Sequence, residues 1–157
     1  MMFEDLRDLY QEVILDRGRH PRNGSRLAAF DVRAKGDNPM CGDRIEVFVA
    51  RDDAGKVAKV GFEARGCAIS VASADLMADS VSGLSAAEVR ELAGYFTALA
   101  RTGNAGDAPA RFAPALEGLR ALAGVHEYPS RVKCATLPWH ALVAALDGTG
   151  EASSERG

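Results

Sequence analysis

Asn38-Pro39-Met40-Cys41-Gly42-Asp43 separates two short runs in which apolar and polar residues alternate, and its reading decides the fold. Before it, from Ala28 to Lys35, Phe30 and Val32 alternate with Asp31 and Arg33. After it, from Arg44 to Arg51, Ile45, Val47 and Val49 alternate with Glu46 and Phe48. A period of two marks a half-buried strand, and Pro39 with Gly42 punctuates a turn between the runs. Asp52-Asp53-Ala54-Gly55 is a second turn, and Val57 to Ala64 supplies a third strand ahead of Arg65-Gly66-Cys67. Three strands so joined predict an antiparallel meander. The first turn also sets the Cys41 thiol two residues from the Asp43 carboxylate, stiffened by Pro39 and loosened by Gly42, which is a place to hold a metal.

Outward from the meander the period becomes helical. Phe3, Leu6, Leu9, Tyr10, Val13 and Ile14 predict an amphipathic helix over 3–17 that stops at Gly18. In His20-Pro21-Arg22-Asn23-Gly24, Pro21 keeps His20 out of the helical region and Asn23-Gly24 favours a turn, so this loop has a rigid shape. On the other side, Ala68 to Val81 places Ile69, Ala72, Leu76 and Met77 on one face, with Cys67 at the helix amino terminus. Ser85-Ala86-Ala87-Glu88 has the spacing of a capping box and opens a helix to about Ala100, with Val89, Leu92, Tyr95, Phe96 and Leu99 inward. A polar loop over 101–109 precedes a short helix from Pro114 to Ala123. The last helix includes Trp139 to Leu146. Pro138 either occupies its first turn, with Thr136 as cap, or kinks a helix begun earlier, and Cys134 is placed at a helix entrance. The expected fold is α+β: a three-stranded antiparallel sheet packed by about five helices, in one domain over 1–146. The small, polar residues 147–157 read as a disordered tail.

With 157 residues, 47% of them hydrophobic and 26% charged, one core of ordinary size is the expectation. A formal charge of -3 arises from 19 basic and 22 acidic residues spread along the chain, and without a basic block nucleic acid is excluded as a partner. No apolar run approaches the roughly 18 residues of a membrane span, and Glu4 and Asp5 stand where a signal peptide would be positive, so the expectation is a cytoplasmic protein off the membrane. Three cysteines in a reducing compartment point away from disulfides and towards metal binding, catalysis or burial. A lone cysteine is as readily a small core hydrophobe. Here, though, Cys41 lies in a Pro/Gly loop, Cys67 follows a glycine and Cys134 follows Arg131 and Lys133. If the fold brings them together, Cys41, Cys67 and Cys134 with Asp43 give three sulfurs and one oxygen, which suits tetrahedral zinc. Taken alone, Asp43 would be an ordinary turn residue. His20, His126 and His140 are unpaired and are left out, and no glycine-rich phosphate loop is present.

Asn38-Pro39-Met40-Cys41-Gly42-Asp43, Gly66-Cys67-Ala68-Ile69-Ser70 and Arg131-Val132-Lys133-Cys134-Ala135-Thr136-Leu137 resemble, in that order, the three cysteine motifs of the U-type iron-sulfur cluster assembly proteins. The likeness runs from the Tyr10 helix and the His20 loop through Leu146, and implies an α+β domain of antiparallel strands backed by helices. The scaffold branch of that family, IscU-like, usually has histidine immediately before the last cysteine and a proline-valine-lysine segment read by a chaperone. This sequence has Lys133 and Glu127-Tyr128-Pro129-Ser130-Arg131 there, and 102–125 looks like the insertion of the SufU-like branch. Lysine is no substitute for a neutral imidazole ligand. Resemblance to the SufU-like branch implies a zinc-dependent sulfurtransferase. Such a protein accepts persulfide sulfur from a cysteine desulfurase, a SufS-like pyridoxal-phosphate enzyme, and passes it to a SUF-type assembly complex. On that reading Cys41 is the persulfide acceptor, freed when a partner histidine replaces it, while Asp43, Cys67 and Cys134 keep the metal. Arg131 then pairs with Asp43 or steers the persulfide. The alternatives are a scaffold holding iron or a [2Fe-2S] cluster on the same residues, and a metal-free redox thiol at Cys67.

Overall fold

In a computed structural model, residues 2–39 and 42–153 are described, with 2–9 and 151–153 as backbone only. Helix α1 (Met2–Arg19) leads through a loop into strands β1 (Val32–Asn38), β2 (Asp43–Arg51) and β3 (Val57–Arg65). Helices α2 (Ala68–Ser80) and α3 (Ala86–Thr102) follow. A 3-10 turn at Ala110–Phe112 then precedes α4 (Ala113–Leu119), a 3-10 segment Arg120–Glu127 and α5 (Pro129–Asp147). The three-stranded antiparallel sheet packed by five helices is the architecture expected from the sequence. A short strand β4 (Glu151–Ser153), in the tail read as disordered, adds to the edge of β1 in parallel, giving the order β3-β2-β1-β4.

Register explains the burial. Ala34, Val47 and Phe62 stand side by side across β1, β2 and β3, with Val49 opposite Val60, and all are buried on one face. Helix α5 lies on that face, close enough that a side-chain carbon at Gly36 would meet Leu137 at 3.1 Å and Ala141 at 3.2 Å. The other face is solvated only in part. Phe48 points outward yet is fully buried, because the loop before β1 folds back: Phe30 packs edge-on at 5.1 Å and the Arg26 guanidinium sits 5.2 Å from the ring. This is why β1 begins at Val32 and not at Ala28. Phe30 is spent covering Phe48, and Asp31 accepts the Arg51 amide hydrogen at 2.6 Å.

The capping box of α3 forms in both directions, Glu88 N–H to Ser85 Oγ at 3.2 Å and Ser85 N–H to Glu88 Oε1 at 3.1 Å. Its buried face of Val89, Leu92, Phe96 and Leu99 meets α5, where Phe96 stacks on Trp139 at 4.9 Å. Two expectations are corrected, and the open choice at Pro138 is resolved. The helix over 114–123 ends at Leu119 and tightens into 3-10 geometry. Pro138 lies inside a helix begun nine residues earlier, at Pro129, since Pro129 fills the first-turn position that suits proline. Cys134 is therefore in the second turn of α5, not at its entrance.

Helix α1 is locked to α2 by charge. Asp75 on α2 is fully buried and accepts from Arg17 Nη1 at 2.6 Å, from the Asn23 amide at 2.8 Å and from Asn23 Nδ2 at 3.0 Å. Arg17 also bonds Asp79 at 2.8 Å, and although burial opposes its charge, these carboxylates hold its pKa above the ordinary value. An uncompensated buried carboxylate is expensive. Arg17→Met should therefore destabilise the fold by about 3 kcal/mol, read as a lower urea midpoint at unchanged slope.

Candidate metal centre

Three chain segments end at the same corner of the sheet. Asp43 opens β2 on the face that carries Ile45 and Val47, so its side chain turns in towards α5 and is only 2% exposed. Because Arg44 pairs with Arg65, Asp43 comes level with Gly66, and a side-chain carbon on Gly66 would lie 2.3 Å from Asp43 Oδ1. Glycine here leaves the space that the carboxylate fills. Asp43 Oδ1 accepts the Cys67 amide hydrogen at 3.1 Å, and Oδ2 accepts from the Ser70 hydroxyl at 3.2 Å. Cys67 is the N-cap of α2, as its sequence position predicts; its Sγ accepts the Ser70 amide hydrogen at 3.5 Å and lies 3.9 Å from Asp43 Oδ2. Cys134 arrives from α5, 3% exposed. Its Sγ is reached by Asn38 Nδ2 at 3.8 Å and is 3.5 Å from the Ser130 carbonyl oxygen.

One donor atom each from Asp43, Cys67 and Cys134 lies within 4.8 Å of the other two. The two sulfurs divide their protons unequally. A hydrogen bond from Cys134 stabilises the Cys67 thiolate; with help from the Ser70 and Ile69 amides, and against burial and the Asp43 charge, it brings the Cys67 pKa down to about 6. Cys134 is pushed up by that same bond, by burial and by Asp43, and stays a thiol. Two soft sulfurs and one carboxylate oxygen, gathered where Gly66 leaves room, are a donor set that fits zinc or iron.

Of the site residues expected from the sequence, Asp43, Cys67 and Cys134 are brought together, whereas Cys41 lies outside the described residues. The connection that carries it runs from Asn38 to Asp43, which face each other in the ladder. It is closed by the Gly42 amide donating to the Asn38 carbonyl at 2.8 Å, with Gly42 at a φ of +74° that favours glycine. Arg131 is exposed on the first turn of α5, its guanidinium 5.4 Å from the Tyr128 ring centre, and among the described residues it makes no ion pair with Asp43. No histidine joins the cluster among the described residues; His126, for one, lies with Nδ1 2.7 Å from the Ala123 carbonyl oxygen. Sequence reasoning gave Ser70 no role. Its place three residues after an N-cap, where a backbone amide meets the cap side chain, was the available signal.

The chain belongs to the family described as the NifU-like N terminal domain, whose pattern matches residues 9–135. It is 34% identical over 97% of its length, and 91% of the relative's, to the iron-sulfur cluster assembly scaffold protein IscU of Streptococcus pyogenes serotype M1. It is 35% identical over 88% of its length, and 89% of the relative's, to the zinc-dependent sulfurtransferase SufU of Bacillus subtilis strain 168. Among solved structures, a putative iron-sulfur cluster assembly scaffold protein for the SUF system from Fervidobacterium islandicum AW-1 superposes with a TM-score of 0.72 at 29% identity. That match covers 86% of this chain and 94% of the other.

Two measurements probe this geometry. Gly66→Ala should push the Asp43 carboxylate aside and weaken zinc binding by roughly 10–100-fold in chelator competition, with the far-UV circular dichroism unchanged. In metal-free protein at pH 7, limiting iodoacetamide should label the exposed Cys67 at least about tenfold faster than the buried Cys134, as read by peptide mass spectrometry. Because the thiolate is the reactive form, labelling of Cys67 should fall as the pH drops through about 6.

Proposed function

We propose that this protein acts in iron-sulfur cluster biogenesis as a zinc-dependent sulfurtransferase. It takes persulfide sulfur from a SufS-like cysteine desulfurase, a pyridoxal-phosphate enzyme, and hands it to a SUF-type assembly complex. The observation that carries this reading is the composition of the site: among the described residues Asp43, Cys67 and Cys134 meet without a histidine, and Lys133 stands directly before Cys134. The similarity to the Bacillus subtilis sulfurtransferase supports it.

Asp43, Cys67 and Cys134 would hold the metal together with Cys41. When bound, zinc supplies the positive charge that keeps cysteine sulfur deprotonated at neutral pH while restraining its reactivity. Cys41 is the acceptor, because the sequence sets it directly before Gly42, between the end of β1 and the start of β2. Its thiolate attacks the outer sulfur of the desulfurase persulfide. The bond between the two sulfurs of that persulfide breaks, the desulfurase cysteine leaves as thiolate, and the transferred sulfur keeps its proton as a new persulfide on Cys41. Arg131, exposed three residues before Cys134 on the first turn of the same helix, offers positive charge to the incoming persulfide.

A second reading is favoured by the Streptococcus pyogenes relative: a scaffold that receives a [2Fe-2S] cluster as its cargo on the same three cysteines and Asp43. Metal analysis of protein purified without added metal, paired with desulfurase turnover, separates the two. About one zinc per chain and a large rise in turnover, abolished by Cys41→Ala and reduced by Arg131→Ala, is the expected result. Retained iron with little stimulation establishes the scaffold, and full stimulation by Cys41→Ala removes Cys41 as acceptor.

A further inference from the structure

Pro138 lies inside α5, four residues after Cys134. In an unbroken helix the amide hydrogen of residue 138 would be donated to the Cys134 carbonyl, and proline has none to give. The Ser70 hydroxyl stands 3.1 Å from that carbonyl oxygen. The same hydroxyl is 3.2 Å from Asp43 Oδ2, and the Ser70 amide hydrogen is donated to Cys67 Sγ at 3.5 Å. Ser70, itself 4% exposed, thus touches all three residues of the candidate centre. Next to Cys134, the Ala135 carbonyl accepts from the Ser73 hydroxyl, one turn further along α2. A helical serine can turn back onto its own helix, as Ser80 at the end of α2 does by bonding the Leu76 carbonyl at 2.7 Å. Ser70 and Ser73 reach across instead, to the stretch of α5 that the proline disturbs.

We infer that Pro138 and Ser70 are paired positioning residues of the metal centre. The proline withholds a helical hydrogen bond from the Cys134 carbonyl, and the Ser70 hydroxyl stands in that place, its single proton shared between that carbonyl and Asp43 Oδ2. The contact holds the first turn of α2, and Cys67 with it, against Cys134 and orients the Asp43 carboxylate. The inference rests on Asp43, Cys67 and Cys134 being the residues that hold the metal.

The test uses the full chain and two probes, Zn2+ in chelator competition and Co2+ for its absorption spectrum, on wild type, Ser70→Ala, Ser70→Thr, Pro138→Ala and the Ser70→Ala/Pro138→Ala double variant. Ser70→Ala should bind either metal roughly 10–100-fold more weakly and shift the cobalt bands, a readout that a merely structural loss would not move. Ser70→Thr, which keeps the hydroxyl, should retain affinity and spectrum. Pro138→Ala restores a competing amide hydrogen and should weaken binding in the same direction. The double variant should be no weaker than the poorer single one, because both changes remove one contact. Wild-type affinity and spectrum in Ser70→Ala overturn the inference, and so do single losses that multiply in the double variant. Tight zinc binding by wild type without stimulation of a desulfurase removes the sulfur-transfer reading and leaves this one standing, whereas no uptake of either metal by wild type overturns both.

Discussion

Asp43 carries a carboxylate into a corner where almost no solvent reaches it, and a buried carboxylate must be met by donors. The donors that meet it, the Cys67 amide and the Ser70 hydroxyl, come from the first turn of α2, so the same bonds join sheet to helix and bring a sulfur beside an oxygen. The corner holds a carboxylate, a sulfur that readily loses its proton and a second sulfur that keeps one. Such a set is complemented by a cation, which would take over the role of the shared proton.

Helix α2 is held at two places along its length. Its amino terminus is tied to Asp43 and Cys134, and its middle to Arg17 and Asn23 through buried Asp75. Eight residues separate Cys67 from Asp75, a span of about 12 Å at helical rise. The loop containing Asn23 and the end of α1 are thereby placed relative to the centre through a single rigid element. The loop is ordered by its asparagine and not only by Pro21, and it supplies Arg26 and Phe30 to the outer face of the sheet.

Local pattern carried much of this fold. Alternation in Arg44 to Arg51 located β2, and Ser85 with Glu88 marked the start of α3 to the residue, because both signals come from interactions within a few positions. Signals failed where a distant partner decided the outcome. Phe30 alternates like a strand residue and is drawn off to Phe48 by packing that no window of sequence contains. Pro138 reads equally as a first-turn residue or as one inside a helix begun earlier, and α5 runs through it, with the Ser70 hydroxyl reaching from another helix to the Cys134 carbonyl. In the candidate centre, cysteine and aspartate were legible as residue types that rarely cluster without a purpose. Ser70 and Gly66 were not, since a small residue gains its meaning only from what stands opposite it.

The short strand β4 lies along the outer edge of β1, pairing residues 151–153 with Lys35, Gly36 and Asp37. Without it, that stretch of β1 would present unpaired amide and carbonyl groups beside the connection that leads to Asp43. An open edge is a template for another chain. Residues 151–153 thus cover that edge like a guard rail, taking up backbone groups to which another chain could otherwise stitch itself. A shortened chain prepared for crystallisation would carry that hazard while leaving every candidate ligand in place.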